Sequence, residues 1–217
     1  MHSYIILKLQ GPMQSWGGHT YEDYRPSGTF PTRSAIIGLL AACLGIDRQN
    51  KKEILQLAES IEIAVRQDEM NLAIGRLVDF HTIEKARKAD GKENKNPIVS
   101  KREYLCDASF TLALRIISET SYSLNSIIKA LQKPVYTPFL GRRSCPITRP
   151  LFETCVQADS FIQALRKIDP VNGIIYSDVD EESNGQIQIR DIPLKRHRQF
   201  ATRRVYIHTN QGVVNVS

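Results

Sequence analysis

No stretch of this sequence approaches the roughly eighteen consecutive apolar residues that a membrane-spanning helix needs. The opening residues, MHSYIILKLQG, lack the basic flank and small-residue cleavage site of a secretory signal, so a cytoplasmic protein with no membrane attachment is expected. Cysteine is sparse. Cys43, Cys106, Cys145 and Cys155 form no C-x-x-C pair, which excludes the usual zinc and disulfide frameworks and leaves buried thiols as the expected state. The histidines His2, His19, His81, His197 and His208 show none of the i, i+4 spacing of a helical metal pair, so neither metal nor cofactor is expected. Also missing are G-x-x-x-x-G-K-[ST], G-x-G-x-x-G and G-x-S-x-G, and with them the usual support for nucleotide hydrolysis, dinucleotide binding and serine-hydrolase chemistry.

What is present is an ordinary globular composition: 217 residues, 41% hydrophobic and 24% charged. That length suits one core carrying an insertion. The net charge of +6 says little alone, but its distribution says more. Residues 81–102 hold seven Lys/Arg against three acids, residues 142–149 three against none, and residues 190–204 six against one. These segments carry a net +12 against +6 for the whole chain, so the other residues are net −6. Positive charge gathered in three places on an acidic body favours a nucleic-acid surface over a uniform basic coat.

Ser3 to Leu9 alternates as a strand and stops at Gly11-Pro12. Pro31 suits the first turn of a helix over about Thr32 to Leu44, whose apolar residues Ile36, Ile37, Leu40, Cys43 and Leu44 share one face and which Gly45 can end. A shorter helix is expected over 51–59, a strand over Ile61 to Val65, strand-like sequence over Tyr104 to Ile117, and an amphipathic helix over Ser121 to Leu131. Pro134 to Pro150 reads as an irregular loop. A helix near Phe161 to Ile168 and strands at Ile174 to Tyr176, Ile187 to Arg190 and Arg204 to His208 follow. Between Val78 and Arg102 the run EKARKADGKENKNPIVSK is too hydrophilic to build a core and reads as a protruding insertion. This order points to an α+β fold with a ferredoxin-like (RRM-like) βαββαβ core and a β-rich C-terminal part.

Several segments carry groups suited to single-stranded RNA. Gln14, Ser15 and Trp16 lie in a Gly-rich loop directly after the first strand, where Trp16 either stacks on a base or seals the end of the core. Arg33 and Ser34 open the first helix, whose free amides and dipole favour a phosphate. Arg142, Arg143 and Ser144 follow Gly141 in an irregular loop, where guanidinium forks suit phosphate contacts or surface ion pairs. Lys195 to Phe200 adds charge and an aromatic ring. A metal-free endoribonuclease is the alternative, with His81 or His197 as general base.

The runs GPMQSWG (Gly11 to Gly17), RPSGTFPTRS (Arg25 to Ser34), LAACLGI (Leu40 to Ile46), REYLCDASFTLAL (Arg102 to Leu114), YTPFLGRRSCP (Tyr136 to Pro146) and RQFATR (Arg198 to Arg203) span nearly the whole chain. In these runs the sequence resembles the guide-RNA handle-binding subunits of type I-E CRISPR Cascade complexes, in the repeat-associated RNA-binding superfamily. The resemblance implies a palm made of residues 1–77 and 103–217 and an inserted basic thumb at 78–102. It implies a non-catalytic subunit that holds the 5′ handle of the guide RNA and caps the complex, next to its backbone and large subunits, with target DNA met only through the complex. The RNA-binding residues expected are Gln14, Ser15, Trp16, Arg25, Arg33, Ser34, Arg102, Tyr104, Arg142, Arg143, Ser144 and Arg198, with no catalytic or metal residues. A related subunit of another CRISPR subtype cleaves precursor RNA, which keeps the endoribonuclease alternative open.

Overall fold

The computed structural model describes residues 1–18, 23–68, 74–87, 90–117, 122–193 and 199–209. In chain order its elements are β1 (His2–Gln10), β2 (Met13–Gln14), β3 (Tyr24–Arg25), α1 (Arg33–Leu44), α2 (Lys51–Ser60), β4 (Ile61–Asp68), β5 (Gly75–Ile83), β6 (Ile98–Cys106), β7 (Ser109–Ile116), α3 (Leu124–Gln132), β8 (Phe152–Ala158), α4 (Phe161–Arg166), β9 (Gly173–Ser177), β10 (Gly185–Pro193) and β11 (Phe200–His208). The protein is mixed α/β and mostly sheet.

One antiparallel sheet of seven strands, in the order β10-β11-β9-β4-β7-β1-β8, runs through the molecule. Strand β1 is buried on both faces, which is why its apolar residues run together as Tyr4-Ile5-Ile6-Leu7. Alternation then sorts them. Ile5, Leu7 and Leu9 join Ile36, Ile37, Leu40, Leu57, Ile127 and Leu131 in the larger core, so α1, α2 and α3 cover one face. Tyr4 and Ile6 join Ala113, Phe161 and Leu165 in a smaller core under α4 on the other. Each fully buried Leu, Ile or Phe contributes about 1.5–3 kcal/mol, so both layers hold the sheet.

Helix ends follow the local sequence. Gly45 closes α1 in the left-handed conformation, φ 77°, and the next amide, Ile46 N–H, donates to the Ala41 carbonyl at 2.9 Å. Asn50 caps α2 by accepting from the Glu53 amide, while Glu53 accepts from the Asn50 side chain. Ser123 and Ser160 cap α3 and α4.

A second, smaller sheet positions the candidate site. Strand β6 pairs with β5 along one edge, and with β2 and then β3 along the other. The segment expected as a protruding insertion is the far end of a two-stranded hairpin, with Gly75–Ile83 paired residue for residue to Ile98–Cys106. The strand-like run Tyr104 to Ile117 divides into β6 and β7 at Asp107, φ 53°. Strand β8 was not among the sequence expectations; its strict alternation rests on only Phe152, Val156 and Ala158, too few apolar residues to stand out.

Candidate nucleic-acid interface

Residues far apart in the chain meet where β6 passes from one short partner strand to the other. β2 pairs with Leu105 and Cys106, β3 with Lys101 and Arg102, and the Glu103 carbonyl falls in the gap. Two side chains fill it: Ser15 Oγ donates at 3.2 Å and Arg142 Nη1 at 3.0 Å. Arg142 Nη2 also donates to the Arg25 carbonyl at 2.8 Å, and its guanidinium lies 4.8 Å from the Tyr104 ring centroid. The Glu103 carboxylate accepts from the Ser27 amide at 2.9 Å and from Arg76 Nη1 at 2.7 Å. Burial pushes this carboxyl up, but the Ser27 amide, Arg76 and the Tyr24 hydroxyl outweigh it and hold it below its ordinary value.

Close backbone approach makes glycine necessary here. At Gly141, φ 86°, an added Cβ would stand 1.7 Å from the Ser15 carbonyl oxygen; at Gly11 it would stand 2.5 Å from that of Pro146. Four of the sequence runs singled out above, around Ser15, Arg25, Glu103 and Arg142, are therefore one rigid platform.

The platform redistributes the expected roles. Gln14 is fully buried, its Nε2 donating to the Ala108 carbonyl at 2.6 Å while its Oε1 accepts from the Trp16 indole at 3.0 Å. Trp16 is 1% exposed and meets Phe110 edge-on, ring centroids 6.2 Å apart. Gln14 and Trp16 therefore pack in the core with buried Ser15, and Ser15 and Trp16 also reach the wall of a groove they share with Ser34. Tyr104, 5% exposed, is covered by Arg142 and offers no open stacking face. Arg142 itself is committed to two carbonyls.

Arg33 also differs from its expectation. It pairs with Asp178 and donates through Nη2 to the Ala58 and Ile61 carbonyls at 2.7 and 2.8 Å. Asp191 takes the Arg33 amide at 2.6 Å and binds Arg203 Nε at 2.7 Å, while Arg203 Nη1 reaches Asp178 at 2.6 Å. The start of α1 is thus occupied by a carboxylate of this chain, and the two arginines and two aspartates tie the C-terminal hairpin β10–β11 to the start of α1 and to the turn after β9. Arg198, like His197, lies outside the described residues.

Other groups face solvent. Arg143 and Ser144 are exposed, and among the described residues no hydrogen-bond or ion-pair partner holds Arg143. Arg25 and Arg102 are half-buried at the platform edge, Arg102 Nε donating to Ser100 Oγ at 3.2 Å, and exposed Lys101 and Arg76 flank them. Ser34 lines a groove of about 440 Å³ with Ser15, Trp16, Arg48, Lys51, Gly141 and Phe200, so three of the expected residues meet there, and no carboxylate lines it. Arg48 and Lys51 escaped the sequence reading because DRQNKK looks like a solvated helix start; only folding sets it beside Ser34 and Gly141. Among the described residues no cluster of His, Cys, Asp or Glu could hold a metal, and no helix is long and apolar enough to cross a membrane.

An arginine-bearing platform with a projecting hairpin and an adjoining groove that no carboxylate lines, built on a mostly antiparallel sheet, defines a candidate nucleic-acid-binding protein of mixed α/β class. The family described as CRISPR-associated protein Cas5 matches residues 4–206, and the chain belongs to it. It is 46% identical, over 95% of its own length and 96% of the relative's, to the CRISPR system Cascade subunit CasD of Escherichia coli (strain K12). Among solved structures it is similar to a chain of a CRISPR RNA-guided surveillance complex, with 29% identity, TM-score 0.71, and coverage of 94% of this chain and 88% of that one. A crystal structure of a Cas protein aligns with TM-score 0.67 and 25% identity over 94% and 93% of the two chains.

Proposed function

We propose that this chain is a non-catalytic Cascade subunit that binds the 5′ handle of the guide RNA and caps one end of the complex. The observation that carries this reading is the platform of Ser15, Arg25, Glu103 and Arg142, in which Arg142 lies over Tyr104 and the next residues of its loop, Arg143 and Ser144, are exposed. Single-stranded RNA is recognised by holding its phosphates and splaying its bases, and rigid loops carrying arginines suit that task. Ser34, Arg48 and Lys51 extend the surface. Target DNA would then be read by the guide's own base pairing, through the complex.

In this reading the strands β8-β1-β7-β4, with α1 and α3 on one face, are a ferredoxin-like (RRM-like) palm, and residues 78–102 at the end of the hairpin are the thumb, set against the backbone and large subunits. No observation among the described residues favours an endoribonuclease: His81 stands exposed on β5 with the Asp79 carboxylate 3.9 Å away, and His197 lies outside those residues.

Salt titration of guide-RNA binding separates the two arginines. Each neutralised phosphate adds to the slope of log affinity against log salt, so Arg143→Ala should lower that slope by about 0.7 and leave thermal stability unchanged. Arg142→Ala should instead lower the melting temperature, because the Arg25 carbonyl and the Tyr104 ring each lose a partner and the Glu103 carbonyl keeps the Ser15 hydroxyl without the guanidinium. An unchanged slope in Arg143→Ala would remove this loop from the binding surface.

A further inference from the structure

The Arg142-Arg143 loop has a second side. Beyond Arg143 lies a groove of about 1130 Å³ between the end of α3, the irregular segment after it and the start of β8. Leu151 is a buried part of its floor, Phe139 and Phe152 are half-buried walls, and Tyr136 stands 50% exposed at its rim with Arg143 and Arg149. No acidic side chain lines it. Arg149 is paired with Glu153, so Arg143 is the guanidinium left for a ligand.

We infer that this groove takes an unstacked base of single-stranded RNA, with Tyr136 as the stacking face and Arg143 on the adjoining phosphate. The inference rests on the RNA-binding reading and names a site within it. Aromatic walls accept the flat face of any base, and a guanidinium at the rim matches the phosphate that must follow the base out to solvent. Continuity adds to this: Arg142 anchors the loop to the platform, and the next residue, Arg143, lines the groove. The backbone that carries Tyr136 is fixed to the end of α1, because its amide donates to the Ala42 carbonyl at 3.0 Å and that of Val135 to Cys43 at 3.0 Å. An apolar segment of a neighbouring protein could also fill such a groove, but it would leave Arg143 unmatched.

The test uses the full chain, the 5′ portion of guide RNA made from the host's own CRISPR repeat, and the same RNA with one abasic site moved along it. For wild type, one abasic position should weaken binding about tenfold. Tyr136→Ala should weaken the intact RNA by a similar factor and become indifferent to that one position, while Tyr136→Trp should retain both behaviours. Because Tyr136 is half-exposed, Tyr136→Ala should melt as wild type does; if it unfolds, the Tyr136→Trp and Arg143→Ala proteins read the same abasic series. Equal binding of intact RNA by wild type and Tyr136→Ala would overturn the inference. Equal binding together with lost co-purification of the other complex subunits would assign the groove to a protein. Wild type that fails to prefer guide RNA over a scrambled strand removes the RNA reading and this site together; wild type that prefers it but ignores Tyr136 removes only this site.

Discussion

Lys8 is the one charged residue in the interior of β1, and the structure explains how it is tolerated. Its Nζ donates to Thr111 Oγ1 and the Asp169 carbonyl, both at 2.6 Å, and to Asp68 at 3.4 Å; Arg66, fully buried, binds Asp68 through Nε at 2.8 Å. Burial pushes the Lys8 amine below its ordinary value, with Asp68 partly countering. Two cations therefore share one carboxylate under α4. Asp68→Asn should be costly, about 3–5 kcal/mol, since it strands two buried charges, whereas Lys8→Met should cost about 1 kcal/mol because it leaves Arg66 and Asp68 matched. Urea denaturation of the two variants checks the order, and the reverse order would refute the pairing. His208 gives a pH prediction. Its Nε2 is buried with no partner among the described residues, and burial lowers its basicity despite Glu181 and Asp180, with Arg166 adding to the decrease. Since the folded state binds the proton less readily than the unfolded one, stability is full above the ordinary histidine range of about 6.5 and falls as the pH drops through it. His208→Phe should flatten the melting temperature between pH 7 and pH 5, and an equal slope in both proteins would contradict this. Such residues mark the limit of sequence reading: the apolar period of β1 was legible, but whether Trp16 faced a base or Phe110 depended on contacts across some ninety residues.

Among the elements, the β5–β6 hairpin departs most from its expectation. Its hydrophilic middle was legible because residues 84–97 have almost nothing to bury. The strands around it were less so, because GRLVDFHTI is exposed along nearly its whole length, and a pattern that buries nothing gives periodicity no purchase. Pairing with β6 makes it a strand, and Phe80 remains 67% exposed with Lys101 Nζ 5.5 Å from its ring centroid. Ser100, by contrast, is buried, so the removable part ends before Ile98. Replacing 84–97 by a short Asn-Gly turn should leave the melting temperature within a few degrees while weakening incorporation into the RNA-bound complex. Unfolding would show that the loop supports the core, and normal assembly would show that it is no thumb. Helices α1 and α2 were read nearly to the residue because caps and breakers lie within a few positions of one another, whereas β8 at the sheet edge carried too little apolar signal.

At the scale of the whole molecule, charge and architecture divide the work. Asp178, from the acidic remainder of the chain, and Asp191, the one acid of the basic segment 190–204, neutralise Arg33 and Arg203 and fasten the C-terminal hairpin. That pairing removes Arg203 from the basic residues that the charge count assigned to a nucleic-acid surface, leaves Arg143 exposed, and brings in Arg48 and Lys51, which lie outside the three counted segments. The count treats Arg203 and Arg143 alike; only the fold separates a cation that holds the protein together from one left exposed. The central claim, that this Cas5-family chain binds guide RNA by its handle, is tested most directly by titrating the full chain with guide RNA, a scrambled strand of equal length and duplex DNA from low to high salt. Guide RNA should bind tightest at every salt concentration, with an affinity that falls steeply and linearly on logarithmic axes while its preference over the scrambled strand persists. Equal affinity for all three nucleic acids, or binding that salt does not weaken, would contradict it.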